Sequence, residues 1–223
     1  MAGAREEHRN RQLALIRDTA RRLFATHGTQ GLSLREVARE MGVASSALYR
    51  YYSTRDELLT ALIFDAYNDL GSAAERAEAK IDRGSHRARL HAATQAIRRW
   101  ALRHPHEYAL IFGTPVPQYV APDDTILAAG RVTALLGGIV ADAAGGDTLV
   151  VPPAQRTMLE WENVALVTGS ASAPRVIWAL TTWTTVFGFV NFELFGHFVG
   201  SVRKPEQFLR VVVDELADQL GLR

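Results

Sequence analysis

Apolar side chains recur at three- and four-residue spacing along almost the whole chain, and no segment of useful length alternates with a period of two. A chain patterned this way folds by burying one stripe of each helix against its neighbours, so the expected class is all-α. With 223 residues, 48% of them hydrophobic and 22% charged, it is long enough to bury a real core in one large domain or two small ones. There is no internal repeat.

The sharpest punctuation lies near the amino terminus. Leu13, Ile16, Ala20, Leu23, Phe24 and His27 line one helical face, with Gly28 placed to cap it. Ser33 with Glu36 forms a capping box that opens a second helix, in which Val37, Ala38 and Met41 face inward. Gly42 ends that helix and is expected at positive φ. A third helix runs from Ser45 to Tyr52, with Leu48 and Tyr52 one turn apart. Thr54 with Glu57 caps a fourth, whose stripe is Leu58, Leu59, Leu62 and Ile63. Two helices joined by a tight glycine-containing turn are the parts of a helix-turn-helix. Small Ser45 and Ser46 would let the start of its second helix approach the floor of a DNA major groove.

Charge is unevenly spread. Residues 1–53 carry nine arginines against five acids, a local excess of +4, so a total of +1 leaves −3 for the remainder. Arginine forks onto phosphates and guanine edges, which suits a nucleic-acid-facing module on a body with another task. Arg5, Arg9 and Arg11 fit either a solvated tail or an arm that reaches DNA. Cysteine is absent, which excludes disulfides, thiolate nucleophiles and Cys-ligated zinc. Residues 5–12 read Arg-Glu-Glu-His-Arg-Asn-Arg-Gln, unlike a secretion leader, and a cytoplasmic protein is expected. Val176 to Phe192 carries no charge over 17 residues but holds four threonines and an asparagine, and reads as a helix buried on several sides rather than a membrane span.

Enzyme signatures fail on inspection. Ser201-Val-Arg-Lys204 lacks companion motifs, His104-Pro-His106 has too few partners for a metal site, and Gly137-Gly138 and Gly145-Gly146 lack phosphate-loop spacing. No catalytic residue, cofactor or metal is expected.

The run Leu23-Phe24, Gly28, Leu32-Ser33-Leu34-Arg35-Glu36-Val37-Ala38, Met41-Gly42-Val43, Leu48-Tyr49-Arg50-Tyr51-Tyr52 and Arg55-Asp56-Glu57-Leu58 resembles the DNA-binding domain of the tetracycline-repressor (TetR) family, without a gap over about residues 10–64. The resemblance implies a homodimer whose two helix-turn-helix units enter successive major grooves of a pseudo-palindromic operator in double-stranded DNA. It also implies a small-molecule effector that spreads them. By position it implies DNA contacts from Arg35, Ser45, Ser46, Tyr49, Arg50, Tyr51 and Arg55, with Tyr51 where the family often has His and Arg55 as a phosphate clamp. Leu48 and Tyr52 match packing positions, and the Tyr52 hydroxyl then needs water or a partner. Trp183, Gly188, Glu193, Leu194, Gly196 and His197 resemble the WHG subgroup of effector domains, but Phe187 stands in place of its His, so effector class does not carry over.

Residues 1–64 are thus expected to form the DNA-binding domain and 65–223 an effector-binding and dimerisation domain. In the latter, helices are expected at His86–Arg103, His106–Phe112, Asp123–Ala144, Ala154–Val167, Pro174–Val199 and Pro205–Leu220. Trp100, Tyr108, Phe112, Trp183, Phe187 and Asn191 are the candidate ligand residues, for a largely apolar or aromatic ligand. Asn191 suits either a ligand or a dimer seam. Acidic residues such as Asp142, Glu160 and Glu162 suit a cationic ligand or a plain exposed face. The last two helices are expected to carry the dimer, with Gly188, Gly196 and Gly200 permitting close approach, Val211, Val212, Leu216 and Leu220 forming a stripe, and Glu193 and His197 pairing. The function expected is a ligand-released repressor. The alternatives are a DNA-binding regulator with no small-molecule effector, or an enzyme or carrier that merely contains a helix-turn-helix corner.

Overall fold

A computed structural model describes residues 2–28, 32–123, 125–143, 159, 160, 164 and 173–222. Its elements are α1 (Ala2–His27), α2 (Leu34–Glu40), α3 (Ser45–Leu48), α4 (Arg55–Glu78), α5 (His86–Arg103), α6 (Pro105–Phe112), α7 (Thr125–Asp142), α8 (Ala173–Leu194) and α9 (Pro205–Gln219). No strand occurs among the described residues, as the periodicity requires. Apart from residues 159, 160 and 164, the expected helix Ala154–Val167, with Trp161 and Glu162, lies outside the described residues.

The chain divides into two compact units: residues 1–66 with 106–125, and residues 67–105 with 126–223. The first unit is built on Ile16, Ala20, Leu32, Leu34, Val37, Leu48, Leu58, Leu59 and Leu62, all nearly inaccessible. Arg17 (2.8 Å) and Arg21 (2.6 Å) both reach the Asp65 carboxylate, fixing α1 on α4. Tyr52 is packed beside them. Burial pushes its phenol up, the Arg17 charge opposes this, and Asp65 adds to the rise. The segment after α6 returns to this unit, where the hydroxyls of Tyr119 and Thr60 lie 2.9 Å apart.

The second unit has α5 at its centre. Leu90, Ala93, Ile97 and Ala101 are fully buried. On α8, Val176, Ala179, Thr182, Val186 and Val190 form one buried stripe, with Phe187 and Phe189 buried beside it and Phe192 exposed. A different helix, Thr125–Asp142, is long and apolar enough to cross a membrane, and half of it is buried inside the protein, as in the core helix of a globular domain.

Arginines bolt these helices together. Arg89, 2% exposed, gives Nε to Glu78 (2.5 Å) and Nη1 to Asp142 (2.8 Å) and to the Arg83 carbonyl (3.1 Å). Arg131 grips both Glu75 oxygens (2.9 and 2.5 Å) and Asn68, and Arg98 grips both Glu193 oxygens (2.7 and 2.5 Å).

Four expectations are corrected. First, α8 ends at Leu194 and not Val199, because Gly196 takes φ +81° and closes the helix: Gly196 N–H donates to Glu193 O (3.3 Å) and His197 N–H to Phe192 O (2.8 Å). Gly196 and Gly200 therefore lie past the helix rather than on its face. Second, Glu193 pairs with Arg98, not with His197, whose ring packs on Phe192 (5.1 Å). Third, the buried stripe of α9 is Leu209, Val213, Leu216 and Leu220, while Val211 is 55% exposed. Asp142 is likewise no free acid for a cationic ligand, being held by Arg89 and Arg83.

Removing Arg89 strips the buried Glu78 of its ion pair and leaves Asp142 with Arg83 alone. Arg89→Ala should cost about 3–5 kcal/mol, read as a fall in urea midpoint. For Asp142, burial alone would raise the carboxyl, but the hydrogen bond from Arg89 and the charges of Arg83 and Arg89 win and hold it low. A depressed carboxyl contributes stability above its unfolded value of about 4, lost as pH falls through the folded value. Asp142→Asn should flatten the loss of stability below pH ~4, a difference that unfolding curves at several pH values would detect.

Candidate nucleic-acid interface

The reading unit is assembled from local rules. Ser33 Oγ accepts from Glu36 N–H (3.1 Å), satisfying a free donor at the start of α2. At the other end Gly42, at φ +68°, lets its N–H donate to Arg39 O (3.1 Å) and Val43 N–H to Ala38 O (3.0 Å). The chain thus turns and enters α3 within a few residues. Regular α-helix in α3 covers only Ser45–Leu48, with Tyr51 and Tyr52 N–H groups both returning to Leu48 O (2.8 and 3.0 Å). Leu48 and Tyr52 are the packed pair, at 1% and 7% exposure, as their positions imply. Before α4, Glu57 N–H donates to Thr54 Oγ1 (3.1 Å), as the capping box requires, while the Glu57 carboxylate reaches one residue past the cap and accepts from Ser53 N–H (2.6 Å).

Arg35, Ser46, Tyr49 and Arg50 are exposed, and Ser45, Tyr51 and Arg55 are half-buried. Tyr49 shows 48% of its surface, unusual for a ring with a core available. Arg55 is partly committed inside the unit, its Nε donating to Leu32 O (2.9 Å). Arg39, overlooked in the sequence, stands one turn beyond Arg35 with a side chain 80% exposed and paired to Glu36 (2.6 Å). Its i, i+4 spacing from Arg35 was the signal available.

The six candidate ligand residues do not all fall in one unit. Tyr108 and Phe112 belong to the first, with ring centroids 5.1 Å apart. Tyr108 is fully buried, and burial pushes its phenol well above the ordinary range. Trp100, Trp183, Phe187 and Asn191 belong to the second. Trp100 stacks on His104 (5.0 Å), and Trp183 lies 5.9 Å from Phe187, with Asn191 one turn further along α8. Asn191 Oδ1 is buried and has no hydrogen-bond partner among the described residues.

A capped helix, a glycine turn and a short helix with an outward tyrosine and arginines define a helix-turn-helix DNA-binding protein. Comparison with known proteins gives the family. Residues 16–62 match "Bacterial regulatory proteins, tetR family", and residues 90–216 match "Tetracyclin repressor-like, C-terminal domain". The HTH-type transcriptional regulator Rv1816 of Mycobacterium tuberculosis is 38% identical over 204 residues, 88% of this chain and 86% of the relative. The crystal structure of the protein SCO4313 superposes with a TM-score of 0.78 at 34% identity, covering 97% of this chain and 98% of that one. PfmR of Thermus thermophilus, a TetR family transcriptional regulator, shares the fold at 16% identity with a TM-score of 0.58, covering 90% of this chain and 96% of its own. The chain belongs to the TetR family of bacterial transcriptional regulators, which bind DNA and are not enzymes.

A Cβ at Gly42 would meet nothing within 4 Å, so replacing this glycine tests backbone conformation alone. Gly42→Ala should destabilise by about 1–2 kcal/mol through left-handed strain. A small far-UV change with a lowered melting temperature is the expected result.

Proposed function

We propose that this regulator is a homodimeric repressor released from a pseudo-palindromic operator by a small, largely apolar or aromatic ligand. The observation that carries the DNA half is a contrast within one unit. Arg17 and Arg21 are spent on Asp65, whereas Arg35 and Arg50 are exposed and make no ion pair among the described residues. Cations left open on a two-helix reading head suit phosphates and base edges. Ser45, Ser46, Tyr49 and Tyr51 supply the rest of that surface, and Arg55 reaches the backbone while braced on Leu32.

The dimer is assigned to the last two helices and the turn between them. Phe192, Phe195, Val199, Phe208 and Val211 are between 40% and 85% exposed, an apolar surface that a second copy would cover. Phe198 ties it together, with ring centroids 5.9 Å from Phe192 and 6.0 Å from Phe208. Two copies of α3 about 34–36 Å apart would meet successive turns of DNA. The effector is assigned to the aromatic face of α8, where Trp183, Phe187 and Asn191 succeed one another by single turns. The sequence resemblance to the WHG subgroup supports this, with Phe187 making the site less polar than one that keeps the His. A cytoplasmic location follows from the role.

Purified protein should select one pseudo-palindrome from random duplex DNA at two salt concentrations. Arg35→Ala with Tyr49→Ala should abolish enrichment, and Arg50→Ala should lower the salt slope by ~1 if it holds a phosphate. Only weak, salt-sensitive binding with no enriched sequence would sink the reading. Phe192→Glu with Val211→Glu should shift sedimentation from dimer to monomer and cut operator affinity with it. Retention of the dimer would move the interface elsewhere.

A further inference from the structure

In the second unit a groove lies between α4 and α5, and of the six candidate ligand residues Trp100 alone borders it. It consists of two adjoining cavities of about 590 and 530 Å³, each in the size range of small-molecule sites. Lys80, Arg99 and Ala77 line both cavities, which places the two side by side. The floor is made of alanines, Ala73 and Ala77 on α4 and Ala88, Ala92 and Ala96 on α5, whose short side chains leave the space open.

The rim is basic. Arg76 and Arg103 border one end and Arg210 the other, with Lys80 and Arg99 between them. Five other arginines of this unit are neutralised: Arg83 and Arg89 by Asp142, Arg87 by Asp214 and Asp218, Arg98 by Glu193, Arg131 by Glu75. Arg76, Lys80, Arg99 and Arg103 have no ion-pair partner among the described residues. The one acid lining the groove, Asp214, is taken by His91 (2.8 Å) and Arg87 (3.2 Å). Glu206, which feels the Arg99 charge, is already bonded to Arg210 (2.9 Å).

Beneath this rim lies Gln95, 7% exposed, with both its amide nitrogen and its amide oxygen lacking a partner among the described residues. A buried amide in this state is costly, and a bound polar group would satisfy it. Four uncompensated cations above an alanine floor and an unsatisfied amide repel one another unless an anion joins them.

We propose that this groove is a second ligand site, separate from the aromatic face of α8, for an amphipathic phosphate ester: its phosphate held between Lys80 and Arg99, its apolar chain lying on the alanine floor. Phosphate suits the site better than carboxylate because a dianion engages several cations at once.

Titration calorimetry of the full chain with octyl phosphate, below its micelle concentration, tests this directly. Expected are one saturable site per chain, a tenfold or greater loss of affinity in Lys80→Glu and in Arg99→Glu, and a smaller loss in Gln95→Leu. Raising salt from 50 to 300 mM should weaken binding in the native chain and leave the charge-reversed variants little changed. Both reversals sit at the solvent-facing rim, and unchanged melting curves would establish that they fold. Absence of saturable binding, or equal affinity in the native and charge-reversed chains, would overturn the site. Inorganic phosphate binding as tightly as octyl phosphate would overturn its amphipathic half. DNA plays no part in the readout, so failure here leaves the operator and effector proposals standing.

Discussion

A guanidinium 2% exposed to solvent holds the larger unit together. Arg89 takes the end of α4 through Glu78, the end of α7 through Asp142 and its own helix's approach through the Arg83 carbonyl. Burying such a charge is expensive, and only the bonded fork makes it tolerable. Its value is therefore less in net stability than in register, since a helix that slides by one residue loses every bond of the fork. Arg98 on Glu193 and Arg131 on Glu75 repeat the device between α5 and α8 and between α7 and α4. The apolar contacts drive burial, and the forks select one arrangement from the many that greasy helices permit.

The same side chain then means opposite things in different places. An arginine with a carboxylate in reach is architecture, and one without is available for another molecule. Arg17 and Arg21 are of the first kind, Arg35 and Arg50 of the second. Arg55 is intermediate, because its Nε is fixed on Leu32 O while the rest of its fork stays partly exposed. In the phosphate-clamp role proposed for Arg55, such bracing would lower the side-chain entropy lost on binding, which suits a contact that positions rather than specifies.

This division explains what could be read in advance. Helix starts and stops near the amino terminus were legible because their causes are local: Ser33 bonds three residues ahead, Gly42 closes α2 within its own turn, and Thr54 with Glu57 cap α4. The exposed side of α3 was legible for the same reason, with Leu48 and Tyr52 marking the packed side. Partnerships over distance were not. Glu193 has His197 four residues away but chooses Arg98, which lies 95 residues back, and Asp142 finds Arg89 across 53. The grouping of Tyr108 and Phe112 with the first unit escaped notice because nothing periodic in residues 106–125 announces where that segment packs. The unpaired basic rim between α4 and α5 escaped it too, since no sequence pattern tells a solvated charge from one over a cavity.

The effector face proposed on α8 also has an energetic limit. Release by a thousandfold preference for the state that cannot bind DNA requires ~4 kcal/mol of differential binding. A partner for the buried Asn191 Oδ1 supplies about 1–3 kcal/mol of that, through a desolvation cost removed. The remainder, ~1–3 kcal/mol, corresponds to roughly 40–120 Å² of apolar surface buried in one state and not in the other. One aromatic ring seated beside Trp183 and Phe187 covers that area. A ligand with a single hydrogen-bonding group and one or two rings would therefore be sufficient, and a strongly polar metabolite would forfeit the apolar share of the driving force.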